Sequence, residues 1–249
     1  MEEAQRRVDA DTVLGVIERV ERSATESEVL DLLFAAKDAL GAEQAVFASF
    51  VRDDQTIESF RFLVAADPGW CLAYQRQSWY ANDPWLLYAA GNTEPAEDSR
   101  IPLRTQHEKA TRDLAAAFGV ASAYIVPAPA APGISRVGVL LLGSNVNGHF
   151  DAGKGHLGLI KALARSLAME LHEWWVRKIR DEMIAVHRIG AQDLELLRLE
   201  RAGESTKAIA RRCNMTTASV DSRFQRLNAK LAMPNRKAAA RLAAEYGLI

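Results

Sequence analysis

The sequence predicts an α+β protein: an α-β-α sandwich domain with a central antiparallel sheet, followed by an all-α, four-helix domain of the helix-turn-helix kind. Three observations predict it. Apolar residues recur at helical spacing through residues 1–40, then give way to aromatic and β-branched runs at 44–51, 57–65, 123–128 and 135–144. Helical patterns return between and after those runs, and residues 189–249 break into four short helical segments with no strand pattern. Charge divides along the same line. Residues 184–249 carry 12 Lys/Arg against 6 Asp/Glu, a net of +6, whereas residues 1–183 carry 19 against 26, a net of −7. A small basic segment behind a larger acidic one fits a polyanion partner for the tail, with ordinary drift of surface charge as the other reading.

The elements follow in order. Val13, Ile17 and Val20 mark a first helix, and Val29, Leu32, Leu33 and Ala36 a second. Thr25 precedes the second with Glu28 three positions on, a capping-box pattern. The runs at 44–51 and 57–65 flank the polar turn Arg52-Asp53-Asp54-Gln55 and read as a β-hairpin. Helices are predicted at about 68–79, 106–118 and 152–178, the last carrying Leu157, Ile160, Ala164, Leu167 and Leu171 on one side. The domain boundary is placed near 178–188: a first domain at 1–178, a linker at 179–188 and a second domain at 189–249. No Gly/Pro/Ser-rich stretch marks the join, so a short, partly helical connection is expected.

Composition removes several classes. The chain has 249 residues, 49% of them hydrophobic, enough for a proper core without disulfides or metal. Its apolar runs fall far short of the roughly 20 residues a membrane span needs. The N-terminal residues MEEAQRRVDADT are acidic where a signal peptide is basic and then apolar. Two cysteines 142 positions apart, Cys71 and Cys213, read as reduced, and the protein as cytoplasmic, with no membrane partner. The five histidines show no metal-ligand spacing, so neither metal nor cofactor is expected. No nucleophile, base and orienter set is legible, and the chain reads as a non-enzyme.

The tail carries the strongest motif. A helix over 190–202 ends at Gly203; Ser205 caps a second; Cys213-Asn214-Met215 leads to Thr216, which caps a third; a fourth follows Pro234. Helix, four-residue break, helix is the spacing of a helix-turn-helix, whose second helix enters the major groove. Val220, Phe224, Leu227 and Leu231 share one face of the third helix. The opposite face then shows Asp221, Ser222, Gln225 and Arg226, with Arg223 and Lys230 at its flanks. Gln225 can pair with adenine and Asp221 can accept from cytosine. Arg223, Arg226 and Lys230 suit phosphates, as do Thr216, Thr217 and the helix N-terminus. A solvated amphipathic helix is the competing reading.

Residues 189–249 resemble the DNA-binding domain of the LuxR family of transcription regulators. The matching residues are Glu195, Leu197, Gly203, Lys207-x-Ile209-Ala210, Val220, Leu231, Arg236, Ala239 and Gly247-Leu248-Ile249. The family's usual Leu-Thr-x-Arg-Glu opening is Ile189-Gly190-Ala191-Gln192-Asp193 here, and Asp221 stands where many members have Lys. Upstream, Trp70-x3-Tyr74-x8-Asp83-Pro84 resembles the acyl-homoserine lactone-binding domain of quorum-sensing regulators, with Gly119, Pro127 and Gly138 also in pattern. The resemblance implies a ligand-responsive regulator, a small-molecule signal of the acyl-homoserine lactone kind, double-stranded DNA and a homodimer; a regulator of the same type that responds to a different small molecule, or is ligand-independent, is the other reading.

The residue types suit that ligand. An acyl-homoserine lactone has two carbonyls, one amide N–H and an apolar tail, and each polar group buried unpaired costs about 1–3 kcal/mol. The Trp70 indole can donate to the lactone carbonyl, the Asp83 carboxylate can accept from the amide, and Tyr74 can wall the pocket. Core packing for the two aromatics, and an N-cap role for Asp83, are the other roles open. The sequence also departs from the family. A second Trp expected 15 residues after Asp83 is Asp98, a Tyr is replaced by Ala66, and a Ser or Thr on the last strand by Leu141. Trp85 sits where a smaller residue is usual. Asp98, Trp85 and Leu141 are therefore also candidate ligand contacts. The lost hydroxyls predict a preference for unsubstituted over 3-oxo acyl chains, since a buried carbonyl needs a partner.

Overall fold

The computed structural model describes residues 8–51, 60–76, 79–129, 135–151 and 155–249. They form two compact units, one of residues up to Trp174 and one centred on Trp175–Ile249.

The first unit opens with two helices. The Asp9 carboxylate caps α1 (Ala10–Arg22) by accepting from the Thr12 backbone N–H at 3.1 Å. Its buried face is Val13, Val16 and Val20, while Ile17 lies at the edge of that stripe rather than in it. The predicted capping box is present: Thr25 and Glu28 satisfy each other's backbone N–H at the start of α2 (Glu26–Ala39).

Among the described residues five strands make one antiparallel sheet: β1 (Gln44–Val51), β2 (Arg61–Ala65), β3 (Ala96–Glu97), β4 (Ser122–Ala128) and β5 (Arg136–Ser144). Their order is β2-β1-β5-β4-β3. The hairpin turn expected at 52–55, and residues 57–59 of the second predicted strand, lie outside the described residues. β1 lies between β2 and β5, with Val46 opposite Val64 on one side and Leu141 on the other, and Ala48 opposite Phe62 and Val139. Because side chains alternate, these apolar residues share one face. The other face carries Phe47, Leu140 and Gly138 toward the long helix, where a Cβ on Gly138 would come within 2.9 Å of both His172 Nδ1 and the Phe47 ring.

Between β2 and β4 the chain folds as α3 (Pro68–Arg76), a 3-10 turn at 79–82, α4 (Pro84–Gly91) and α5 (Gln106–Ala117). The first is shorter than the helix predicted over 68–79. Gly119 (φ +85°) ends α5 in the left-handed conformation a glycine adopts without strain. The two-residue β3 carries no periodicity and was not predicted.

The helix predicted at 152–178 is displaced. α6 runs from Leu157 to His187, and residues 152–154 lie outside the described set. The residues expected as a linker, 179–188, thus continue the helix through His187, and Arg188 turns the chain at φ +49°. The second unit adds α7 (Ala191–Arg201), α8 (Thr206–Arg212), α9 (Thr217–Lys230) and α10 (Arg236–Glu245). Ser205 caps α8 and Thr216 caps α9 through the Ala208 and Ser219 backbone N–H groups. Val220, Phe224, Leu227 and Leu231 are all buried in the second unit's core, as their spacing predicts.

Candidate functional site

A cavity of about 630 Å³, counted to its open mouth, lies on the apolar face of the sheet. Val46, Ala48, Phe62, Val64, Val139 and Leu141 form its floor, and α3 and α4 bring Trp70, Cys71, Tyr74, Asp83, Trp85 and Leu86 to its walls. Its lining is overwhelmingly apolar, as the walls of small-molecule sites are.

The polar exceptions are specific. Asp83 is 4% exposed. Its Oδ1 accepts from the Trp85 backbone N–H at 2.7 Å and the Leu86 backbone N–H at 3.3 Å, capping α4, whose first residue is Pro84. Its Oδ2 accepts from the Tyr74 hydroxyl at 2.7 Å. Burial raises the Asp83 carboxyl above its ordinary value, against the three hydrogen bonds that pull it down. Burial, the Asp83 charge and the bond itself push the Tyr74 phenol well above its usual value, so it stays a neutral donor. A carboxylate offers roughly four acceptor positions, and the fourth, on Oδ2, is left for another donor. Asp83 therefore serves as a helix cap while also facing the cavity.

The indole Nε1 atoms of Trp70 and Trp85 are both buried and have no hydrogen-bond partner among the described residues. Trp70 is 6% and Trp85 3% exposed. Buried donors are seldom left unpaired, so two on one cavity wall require explanation. Cys71 lines the same wall, its thiol pushed up by burial and by Asp67.

Of the six predicted ligand contacts, Trp70, Tyr74, Asp83, Trp85 and Leu141 line this one cavity. Asp98 does not. It begins a 3-10 turn after β3, and its carboxylate accepts from the Ala123 backbone N–H at 3.0 Å, which ties that turn to β4. Sequence reasoning missed the floor residues other than Leu141. Their alternation along 44–51, 61–65 and 136–144 was available, but which face of each strand meets a cavity depends on the sheet order.

In the second unit, Thr217, Asp221, Ser222, Gln225 and Arg226 are exposed on α9, as is its cap Thr216. Arg226 Nη1 donates to Ser222 Oγ at 2.9 Å. Arg223 and Lys230 are committed within the unit. Arg223 Nε donates to Asp193 Oδ1 at 2.7 Å, and Lys230 Nζ donates to the Arg188 carbonyl at 2.8 Å and lies 3.5 Å from Asp193 Oδ2. Burial alone would raise the Asp193 carboxyl, but the bonds from Arg223 and the Gly190 N–H, with the Arg223 and Lys230 charges, hold it below its ordinary value. These two cations thus brace α9 against the start of α7.

The sheet of the first unit thus has one apolar face hollowed into a cavity beneath two short helices. The chain belongs to the autoinducer binding domain family, which matches residues 25–171. No curated protein sequence matches it significantly. Among solved structures it is similar in fold to SdiA of Escherichia coli, with TM-score 0.70 and 18% identity over 95% of this chain and 97% of that one. A structure described as SdiA in complex with octanoyl-rac-glycerol aligns with TM-score 0.68 and 16% identity over 95% and 94%. CepR2 of Burkholderia cenocepacia, described as an N-acylhomoserine lactone dependent LuxR family transcription factor, aligns with TM-score 0.56 and 18% identity over 68% and 96%. Among the described residues no helix is long and apolar enough to cross a membrane.

Proposed function

We propose that the protein is a ligand-responsive transcription regulator of the quorum-sensing type: the first unit binds an acyl-homoserine lactone-like signal, and the second reads double-stranded DNA as a helix-turn-helix. The observation that carries this reading is the pairing, in one apolar cavity, of the unpartnered Trp70 N–H with the part-used Asp83 carboxylate. The Trp70 N–H donates to the lactone carbonyl, Asp83 Oδ2 accepts from the amide N–H, and the acyl chain lies on the floor of the sheet. Every polar group of the ligand except one carbonyl is then satisfied. The basic charge of residues 184–249 and the exposed Gln225 and Arg226 on α9 support the DNA half of the reading. Ligand binding completes the first unit's core and favours a homodimer that holds two readers one helical turn apart.

The test is a thermal scan of the full chain with and without acyl-homoserine lactones. A ligand present at 100 times its Kd stabilises the folded state by about 2.7 kcal/mol and raises the transition accordingly. A transition unmoved by every member of a chain-length series contradicts the reading.

A further inference from the structure

The proposed ligand contacts leave one buried donor and one ligand carbonyl unaccounted for. Trp85 occupies the first turn of α4, immediately after Asp83 and Pro84. Its backbone N–H is held by Asp83 Oδ1, which fixes the start of its side chain, and the ring lines the cavity beside Leu141. Its Nε1 is buried and unpartnered, the same condition as Trp70 Nε1. Two tryptophans that line the cavity thus each keep a buried N–H with no partner among the described residues, and Asp83 keeps one acceptor position on Oδ2.

Resting on the signal-binding reading above, we propose that the Trp85 indole N–H is a second hydrogen-bond donor to the ligand head. It makes the site selective for acyl signals whose head carries two acceptors and one donor, and Trp85 takes the acyl amide carbonyl. The inventory decides the class. A lactone carbonyl, an amide carbonyl and an amide N–H match the two indoles and the carboxylate one for one. A free fatty acid brings an anion toward a buried carboxylate, and a simple alcohol leaves one indole unpaired. Asp83 and Trp85 both sit at the start of α4, and Trp70 lies on α3. Trp85 thereby supplies the donor that the sequence lacks at Ala66, a residue packed on the same apolar cluster.

The chain has five tryptophans, so its indole N–H groups give at most five signals in a 1H–15N spectrum of tryptophan-labelled protein. The experiment titrates the full chain with N-octanoyl homoserine lactone and with the matched cyclopentylamide, which keeps the amide but lacks the lactone carbonyl. With the lactone, the Trp70 and Trp85 signals both shift downfield; with the cyclopentylamide only the Trp85 signal does. Trp85→Phe weakens both ligands alike, by roughly 5- to 150-fold, whereas Trp70→Phe weakens the lactone by more than the cyclopentylamide. A Trp85 signal that stays in place while the Trp70 signal moves overturns this proposal and leaves the signal-binding reading standing. Binding of neither ligand overturns both. Should Trp85→Phe fail to fold, the Trp85 shift in the unaltered chain decides alone.

Discussion

His172 shows how one residue ties the fold to pH. It is 1% exposed on α6, facing Gly138, and its Nδ1 has no partner among the described residues. Burial first, and the nearby Arg136 charge second, lower its pKa from 6.5 to about 4. The imidazole is therefore neutral in the fold. Between about pH 6.5 and pH 4 the unfolded chain takes up a proton that the folded chain refuses, so stability falls as pH falls through that window. The full gap corresponds to about 3 kcal/mol at about 1.4 kcal/mol per unit. Asp83 acts with the opposite sign. Its raised pKa favours the fold below the unfolded value of 3.8, and that contribution is lost as pH rises through the folded value. The difference between the unaltered chain and His172→Leu isolates the histidine. Denaturant titrations of the first unit are expected to show the loss between pH 7 and pH 4.5 in the unaltered chain and a much smaller loss in the variant; equal losses contradict the account. Glycine at 138 follows from the same packing, because any Cβ there meets the His172 ring and Phe47.

Helix α9 carries the DNA half of the account. One face is locked by Val220, Phe224 and Leu227 in the core, and its flank by the Arg223 and Lys230 bonds that converge on Asp193 and Arg188. Gln225 and Arg226 stay exposed, with Thr216 and Thr217 at the N-terminus and Ser222 between, while Asp221 is exposed but lies 3.9 Å from Arg236 Nη1. Arg226→Ala is expected to weaken all duplexes alike and to lower the salt dependence of binding by about one phosphate contact, whereas Gln225→Ala changes sequence preference. Fluorescence anisotropy across operator variants and salt concentrations separates the two. Equal losses from both variants on every duplex remove Gln225 as a base reader. The helix itself was legible, since Thr216, the apolar spacing and the four-residue break are local signals. The role of Asp193 was not, because it lies 30 residues before Arg223 and a sequence pattern does not show that α7 brings its carboxylate there. α6 was misjudged at both ends for a related reason. The charged stretch Arg177-Lys178-Ile179-Arg180-Asp181-Glu182 looks like a terminus, yet it forms exposed and half-exposed helix around a buried Ile179.

At the scale of the molecule, a hollowed α+β unit and a basic helical unit share one chain, and the charge split of −7 and +6 follows that division closely. The sheet was legible because strands buried on both faces read as aromatic and β-branched runs; β1 and β5 fall within a residue of their predicted bounds. The cavity was only half legible. Trp70, Tyr74 and Asp83 came from the resemblance that their motif carries, but the floor needed the order β2-β1-β5, and Asp98 is taken by a backbone N–H of β4. Trp85 was read as bulk, and counting lost hydroxyls overlooked the donor it adds. The central claim is that Trp70 and Asp83 grip the head of an acyl signal inside the first unit. The measurement that tests it most directly is calorimetric titration of the full chain with an unsubstituted acyl-homoserine lactone, in the unaltered protein and in Trp70→Phe and Asp83→Asn, each checked for a folded thermal transition. The account predicts saturable binding that each substitution weakens by roughly 5- to 150-fold, the equivalent of about 1–3 kcal/mol. Unchanged affinity in both folded variants would contradict it, leaving Trp70 as core packing and Asp83 as a helix cap.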